Sequence, residues 1–186
     1  MKDLSKLPDN LPIPVDDGAC DHLLGAGIPS IPLVATSGDT ITLGTLPGTV
    51  VAYFYPMIGR PDSPPLVGWN EIPGARGCTP QTCAFSDHHA ELESFAVRVF
   101  GVSAQPLEDQ QQAHARLELP FELLNDSHFA LAEAMRLPTF EYKKLRLIKR
   151  VTLIAINGII RKVFYPVFPP NRNAEDVLEW FRNGGA

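Results

Sequence analysis

Apolar and polar positions along this chain fall into blocks of two periods, one suited to strands and one to amphipathic helices. Residues 31–43 (IPLVATSGDTITL) carry two short apolar alternations around Ser37-Gly38-Asp39 and predict a hairpin. Residues 49–56 (TVVAYFYP) form a continuous apolar and aromatic run, the pattern of a strand buried on both faces. Residues 57–77 (MIGRPDSPPLVGWNEIPGARG) are too broken by Pro and Gly to predict helix or strand. Residues 79–95 read as one helix, with Phe85, Leu92 and Phe95 on one face and Glu, His and Ser opposite. A strand over 98–104 follows, then a polar-faced helix over 107–119, a short strand and turn over 121–126, and a helix over 128–137. Residues 150–156 and 159–167 flank Asn157-Gly158, the strongest hairpin signal in the chain. Residues 173–181 predict a last helix, with Asn173 as its cap and Val177, Leu178 and Phe181 as its apolar stripe. Residues 1–30 are rich in Pro, Asp and Gly without a period, and read as an extended arm over the domain surface. Hairpin, strand–helix–strand–helix, hairpin, helix is the order of an α/β, thioredoxin-like fold with an N-terminal extension and hairpin. One domain over 1–186 is expected.

Composition narrows the function. A chain of 186 residues, 45% hydrophobic, buries a real core without a disulfide or metal staple. The net charge of −5 and the absence of Lys/Arg runs argue against a nucleic-acid partner. No stretch has signal-peptide or membrane-span character, so a cytoplasmic protein, monomeric or homodimeric, is expected. Three cysteines in a reducing compartment are better read as redox-catalytic or metal-binding than as structural disulfides.

Two of the three lie in PGARGCTPQTCAFSDHHAEL. Cys78 falls in the first turn of a predicted helix, where unpaired N–H groups and the helix dipole favour a thiolate. Arg76 is expected to add positive charge, and the loop–helix junction to leave the sulfur open to solvent. Cys83 follows five residues later. In an intact helix such residues lie about 8–9 Å apart, whereas a disulfide needs Cα atoms within roughly 7 Å. The pair can bond only if the first turn or two unwinds, and Pro80 suits a helix start that frays and re-forms. Two readings compete with a redox pair: two small buried hydrophobes, or a metal site completed by His88 or His89, although the spacing is not the usual one. His88 and His89 otherwise read as plain helix-surface residues.

GCTPQTCAFSDHHAEL resembles the active-site segment of the bacterioferritin-comigratory or PrxQ type of peroxiredoxin, whose pattern is GCT-x-E-x-C-x-F. YFYP, RVFGVSA, LPFELLND and RVTLIAINGII extend the resemblance over residues 28–186. It implies a thiol-dependent peroxidase that reduces hydrogen peroxide or organic hydroperoxides. Cys78 would be the peroxidatic cysteine and Cys83 the resolving one, joined in an intramolecular disulfide that thioredoxin or a similar dithiol re-reduces. Arg150 would be the active-site arginine, and strand alternation places it with Thr152, Ile154 and Ile156 while Lys149 points away. Otherwise Arg150 is a strand-end charge. Gln81 stands where the family has an acid that holds this arginine. Tyr55, Pro56, Thr79 and Gln81 are the expected substrate-binding positions, and no metal, flavin or haem is called for. The chain departs from the pattern at Ala75, where the family carries Thr, and in residues 57–77, which include Trp69 and are expected to border the pocket mouth. A one-cysteine peroxidase with an external thiol, a metal-binding protein of the same fold and a redox-sensing module are the competing functions. Cys20 reads as a spare thiol, and Pro64-Pro65 and Pro169-Pro170 as loop punctuation.

Overall fold

The computed structural model describes residues 6–63 and 66–185, so Pro64-Pro65 and the first five residues of the arm lie outside the described residues. Seven strands form one sheet: β1 (Leu33–Ala35), β2 (Thr40–Ile41), β3 (Thr49–Phe54), β4 (Val97–Ser103), β5 (Leu123–Asn125), β8 (Val151–Ile156) and β9 (Ile159–Phe164). Their order is β2-β1-β5-β4-β3-β8-β9, while β6 (Thr139–Tyr142) and β7 (Leu145–Ile148) make a separate hairpin. β3, β4 and β5 run parallel, as strands linked by helical crossovers do, and β1, β8 and β9 add antiparallel pairings. The helices are α1 (Cys78–Asp87), α2 (His89–Ser94), α3 (Leu107–Leu117), α4 (Ala130–Ala134) and α5 (Asn173–Arg182). This is the thioredoxin-like α/β architecture that the pattern predicts.

The sheet is covered on both faces, which is why β3 is apolar without alternation. Val50, Ala52 and Phe54 pack with Leu131, Leu153 and Ile160 on one face. Val51 and Tyr53 pack with Phe85, Ile154, Val177 and Phe181 on the other, the face that also holds Cys78. The β8–β9 turn is a tight one, with Asn157 at φ 48° and Gly158 at φ 77°. A side chain at Gly158 would also strike the carbonyl of Gly44 at 2.4 Å.

Three expectations need correction, and one element was not expected. The helix predicted over 79–95 divides at His88 into α1 and α2, and Phe95 lies beyond it, 38% exposed and stacked on Phe181. The helix predicted over 128–137 contracts to the five residues of α4. Asn173 does not cap α5. It is the first residue of that helix, and its buried side chain turns inward to β8 and α1. The β6–β7 hairpin is absent from the sequence reading because its turn carries no Gly or Asn; Lys143 adopts φ 55° instead. Its inner side buries Tyr142 and Leu147 against Trp69 and Ala75, and Tyr142 Oη donates to the Val67 carbonyl at 2.8 Å.

Among the described residues of the arm, Asp21–Leu23 form a single 3-10 turn, and Leu23 and Cys20 sink into the core. Burial pushes the Cys20 thiol up to about 12, with Asp17 and other acids adding to the shift, so it stays protonated. Among the described residues no helix is long and apolar enough to cross a membrane.

Candidate active site

Cys78 is the first residue of α1, and the residue before it explains how the helix begins there. Gly77 adopts φ 110°, and a side chain on it would meet Pro170 Cγ at 2.3 Å and Leu7 Cδ2 at 2.9 Å. Only glycine fits both constraints. With the chain turned this way, the sulfur sits at the positive end of α1, and Cys78 as a residue is 2% exposed, more deeply buried than a loop–helix junction leads one to expect.

Two donors converge on that sulfur. The backbone N–H of Met57, just past the end of β3, donates to Sγ at 3.4 Å. Arg150 Nη2 donates to the same atom at 3.4 Å from the entry to β8. As a thiol, Cys78 itself donates to the Ala75 carbonyl at 3.7 Å. Loss of that proton would leave two N–H groups aimed at the negative charge, one of them cationic.

Arg150 is itself 3% exposed, and the surrounding backbone holds it. Its Nη2 faces the carbonyls of Gly74, Ala75 and Arg76 at 3.3, 3.5 and 3.3 Å. Its Nη1 donates to Gln81 Oε1. Gln81 passes the contact on, with Nε2 donating to Asn173 Oδ1 at 2.8 Å, and Thr152 Oγ1 donates to the same oxygen at 2.6 Å. Among the described residues no carboxylate forms an ion pair with Arg150, so its charge faces neutral acceptors and one sulfur. A buried cation with neutral partners favours an anion beside it strongly.

The predicted residues divide clearly. Cys78, Arg150 and Gln81 come together. Thr79 is buried at 4% exposure, one residue along α1, but makes no hydrogen bond to the sulfur. Tyr55 and Pro56 lie behind the site: the Tyr55 hydroxyl accepts from Gln110 Nε2 at 3.2 Å, and the Pro56 carbonyl accepts from Ser103 Oγ at 3.0 Å. Met57, whose N–H reaches the sulfur, follows them directly in the chain. Arg76 does not reach the thiol; its guanidinium donates to the Lys6 carbonyl at 3.2 Å. Sequence reasoning missed the Met57 N–H, the three carbonyls and the Thr152–Asn173 pair. Only the pair left a sequence signal, since Thr152 shares the face of Arg150.

Cys83 occupies the middle of α1, half-buried and unbonded to Cys78. Burial pushes its thiol above the ordinary value, Asp87 adds to the shift, and Arg116 opposes it. Both sulfurs belong to one continuous helix, so their Cα atoms are held about 8–9 Å apart. His89 packs against Phe121 and pairs with Glu93 at 3.7 Å. Among the described residues, no three His, Cys, Asp or Glu side chains gather closely enough to hold a metal ion.

Comparison with known proteins identifies the family and the fold. The AhpC/TSA family profile matches residues 71–163. A Bcp peroxiredoxin of Coxiella burnetii is 30% identical over 159 residues, covering 83% of this chain and 95% of that protein. Peroxiredoxin Bcp of Bacillus subtilis is 31% identical over 112 residues, 60% of this chain and 62% of that protein. Among solved structures, peroxidoxin BcpB of Mycobacterium tuberculosis superposes with a TM-score of 0.71 at 22% identity, covering 86% of this chain and 96% of that one. The bacterioferritin comigratory protein of Xanthomonas campestris, in a study of its alkyl peroxide reduction, superposes at 0.67 and 19% identity over 95% of this chain and 100% of that one.

Proposed function

The chain belongs to the AhpC/TSA family and is a peroxiredoxin-type thiol peroxidase, and from this premise we propose that Cys78 is its peroxidatic nucleophile and Cys83 its resolving thiol. One observation carries the assignment: Cys78 Sγ lies 3.4 Å from both the Met57 N–H and Arg150 Nη2. Those donors hold the thiolate, and the same groups meet the oxygens of an incoming hydroperoxide.

The thiolate forms an S–O bond to the terminal oxygen of ROOH as the O–O bond breaks. The alkoxide leaves and takes a proton, giving ROH and a Cys78 sulfenic acid. Arg150 offsets the charge that moves from sulfur to the leaving oxygen. Gln81, Thr152 and Asn173 are positioning residues that keep the guanidinium in place. The Cys83 thiolate then attacks the sulfenic sulfur, hydroxide leaves as water, and a Cys78–Cys83 disulfide forms. Because α1 holds the two apart, its first turns unwind for this step. A thioredoxin-like dithiol restores both thiols by exchange and is itself oxidised. No metal, flavin or haem enters the scheme.

We read residues 1–186 as one cytoplasmic domain, with the arm over 1–30 and the loop over 57–77 as its elaborations. The loop packs on the body through Trp69 and Tyr142, whose rings meet edge-on at 5.1 Å. The direct test is peroxide consumption coupled to oxidation of a thioredoxin-like dithiol. Wild-type protein turns over, and Cys78→Ser loses turnover entirely. Retained activity in Cys78→Ser would rule out the assignment.

A further inference from the structure

β3 pairs with β4 as far as Phe54 and Val102, and the Tyr55 N–H adds one more bond, to the Val102 carbonyl at 3.1 Å. Pro56 has no N–H and cannot continue the ladder. Beyond it two side chains take over, from Ser103, the last residue of β4, and from Gln105 just past it. Ser103 Oγ donates to the Pro56 carbonyl at 3.0 Å. Gln105 grips both backbone groups of Ile58: its Oε1 accepts from the N–H at 3.0 Å, and its Nε2 donates to the carbonyl at 3.1 Å. The Gln105 N–H donates to Ser103 Oγ at 3.2 Å, which ties the two grips together. Both side chains are buried, so water does not compete for these bonds.

Met57 lies between the two grips, and its N–H is the backbone donor to Cys78 Sγ at 3.4 Å. That N–H belongs to the same peptide group as the Pro56 carbonyl. The group is planar and trans, so its C=O and N–H point in opposite directions. A hydroxyl that fixes the carbonyl therefore fixes the N–H. It also polarises the peptide, which makes the N–H a stronger donor. Ser103 Oγ, the Pro56–Met57 peptide and Cys78 Sγ thus form one line of hydrogen bonds. The next peptide group carries the Ile58 N–H that Gln105 holds, so the backbone is fixed on both sides of Met57.

We propose that Ser103 and Gln105 are positioning residues for the peroxide step: Ser103 aims the Met57 N–H at Cys78 Sγ, and Gln105 keeps the following peptide from turning. The role presupposes that Cys78 is the peroxidatic sulfur. Neither side chain touches the sulfur. They hold a donor in place before the peroxide arrives, so the backbone need not reorganise as charge moves from sulfur to oxygen. When either grip is lost, the Met57 N–H loses its alignment, while Arg150 still reaches the sulfur from the entry to β8.

The test uses Ser103→Ala and Gln105→Met in the full-length chain. The first deletes one oxygen and the second keeps the length of the side chain, so either variant carries the test if the other does not fold. Stopped-flow oxidation of Cys78 by hydrogen peroxide is expected to slow about tenfold in Ser103→Ala and about threefold in Gln105→Met, less than outright loss of an aligned donor costs. Amide exchange followed by NMR in the reduced protein supplies a readout that general destabilisation does not mimic. The Met57 N–H is expected to exchange about tenfold faster in Ser103→Ala, while the amides of Val51 and Val102 keep their protection. Oxidation rates within about twofold of wild type in the folded variants overturn the role. So does a Met57 amide whose protection is unchanged or falls only in step with Val51 and Val102. A wild type whose Cys78 does not react with peroxide overturns the Cys78 reading itself.

Discussion

The two thiols of α1 sit five residues apart in different physical situations. Cys78, at the helix start, is held by a backbone N–H, a guanidinium and the helix dipole, and is 2% exposed. Cys83, at mid-helix, is half-buried, and burial pushes its thiol up. In the proposed cycle one sulfur reacts where it stands and the other only after it moves. On that proposal, preorganisation serves the peroxide step and local unfolding the disulfide step.

The strongest way to break this contrast is to remove the cation. Arg150→Met is expected to slow oxidation of Cys78 by about 10²–10³-fold, the usual cost of losing an aligned charged donor, in stopped-flow measurements of the first turnover. A loss of under threefold would mean that the Met57 N–H and the dipole suffice. Next in size, Cys83→Ser is expected to lower turnover with a dithiol protein about tenfold, by removing the intramolecular partner. Its oxidised form should be a sulfenic acid trapped by dimedone. Unchanged turnover would make Cys83 a bystander.

The pH dependence sharpens the same contrast. In the folded helix Cys83 keeps its proton beyond the ordinary thiol value of 9.0, because burial raises it. Once unwound, Cys83 ionises near that ordinary value. The stability this proton lends the folded helix is therefore full below about pH 9 and is lost as the pH rises through the folded value. Both unwinding and thiolate formation then favour closure, so quench-flow should find disulfide formation accelerating as pH approaches and passes 9.0. A rate independent of pH would mean that Cys83 is not the attacking thiolate. The smallest effect is expected from Asn173→Ala, which leaves Thr152 and Gln81 without their shared acceptor. It should lower stability by about 1–3 kcal/mol in urea titrations and slow Cys78 oxidation only a few-fold.

These residues also mark how far the sequence could be read. The buried run at β3, the Asn157-Gly158 turn and the alternation that sets Arg150 beside Thr152 are local signals, and each leads to the observed element. The placement of Cys78 at the start of α1 and of Cys83 along it was legible because a helix start and a spacing of five impose their own geometry. The Met57 N–H was not, since a backbone donor has no residue type to reveal it. Asn173 was misread because Asn is both a good cap and a good buried hydrogen-bond partner, and only packing against β8 decides between them. The β6–β7 hairpin was hidden because Lys143 takes a turn conformation usually left to Gly or Asn. The tie from Asp17 to Lys149 spans 132 positions, beyond any local pattern.

The most direct test of the central claim is mass analysis of the intact protein and its peptides after one equivalent of hydrogen peroxide, without reductant. The account predicts rapid loss of two hydrogens, mapped to a Cys78–Cys83 disulfide and reversed by thioredoxin. A stable single-oxygen adduct on Cys78, or two thiols left unreacted, would contradict it.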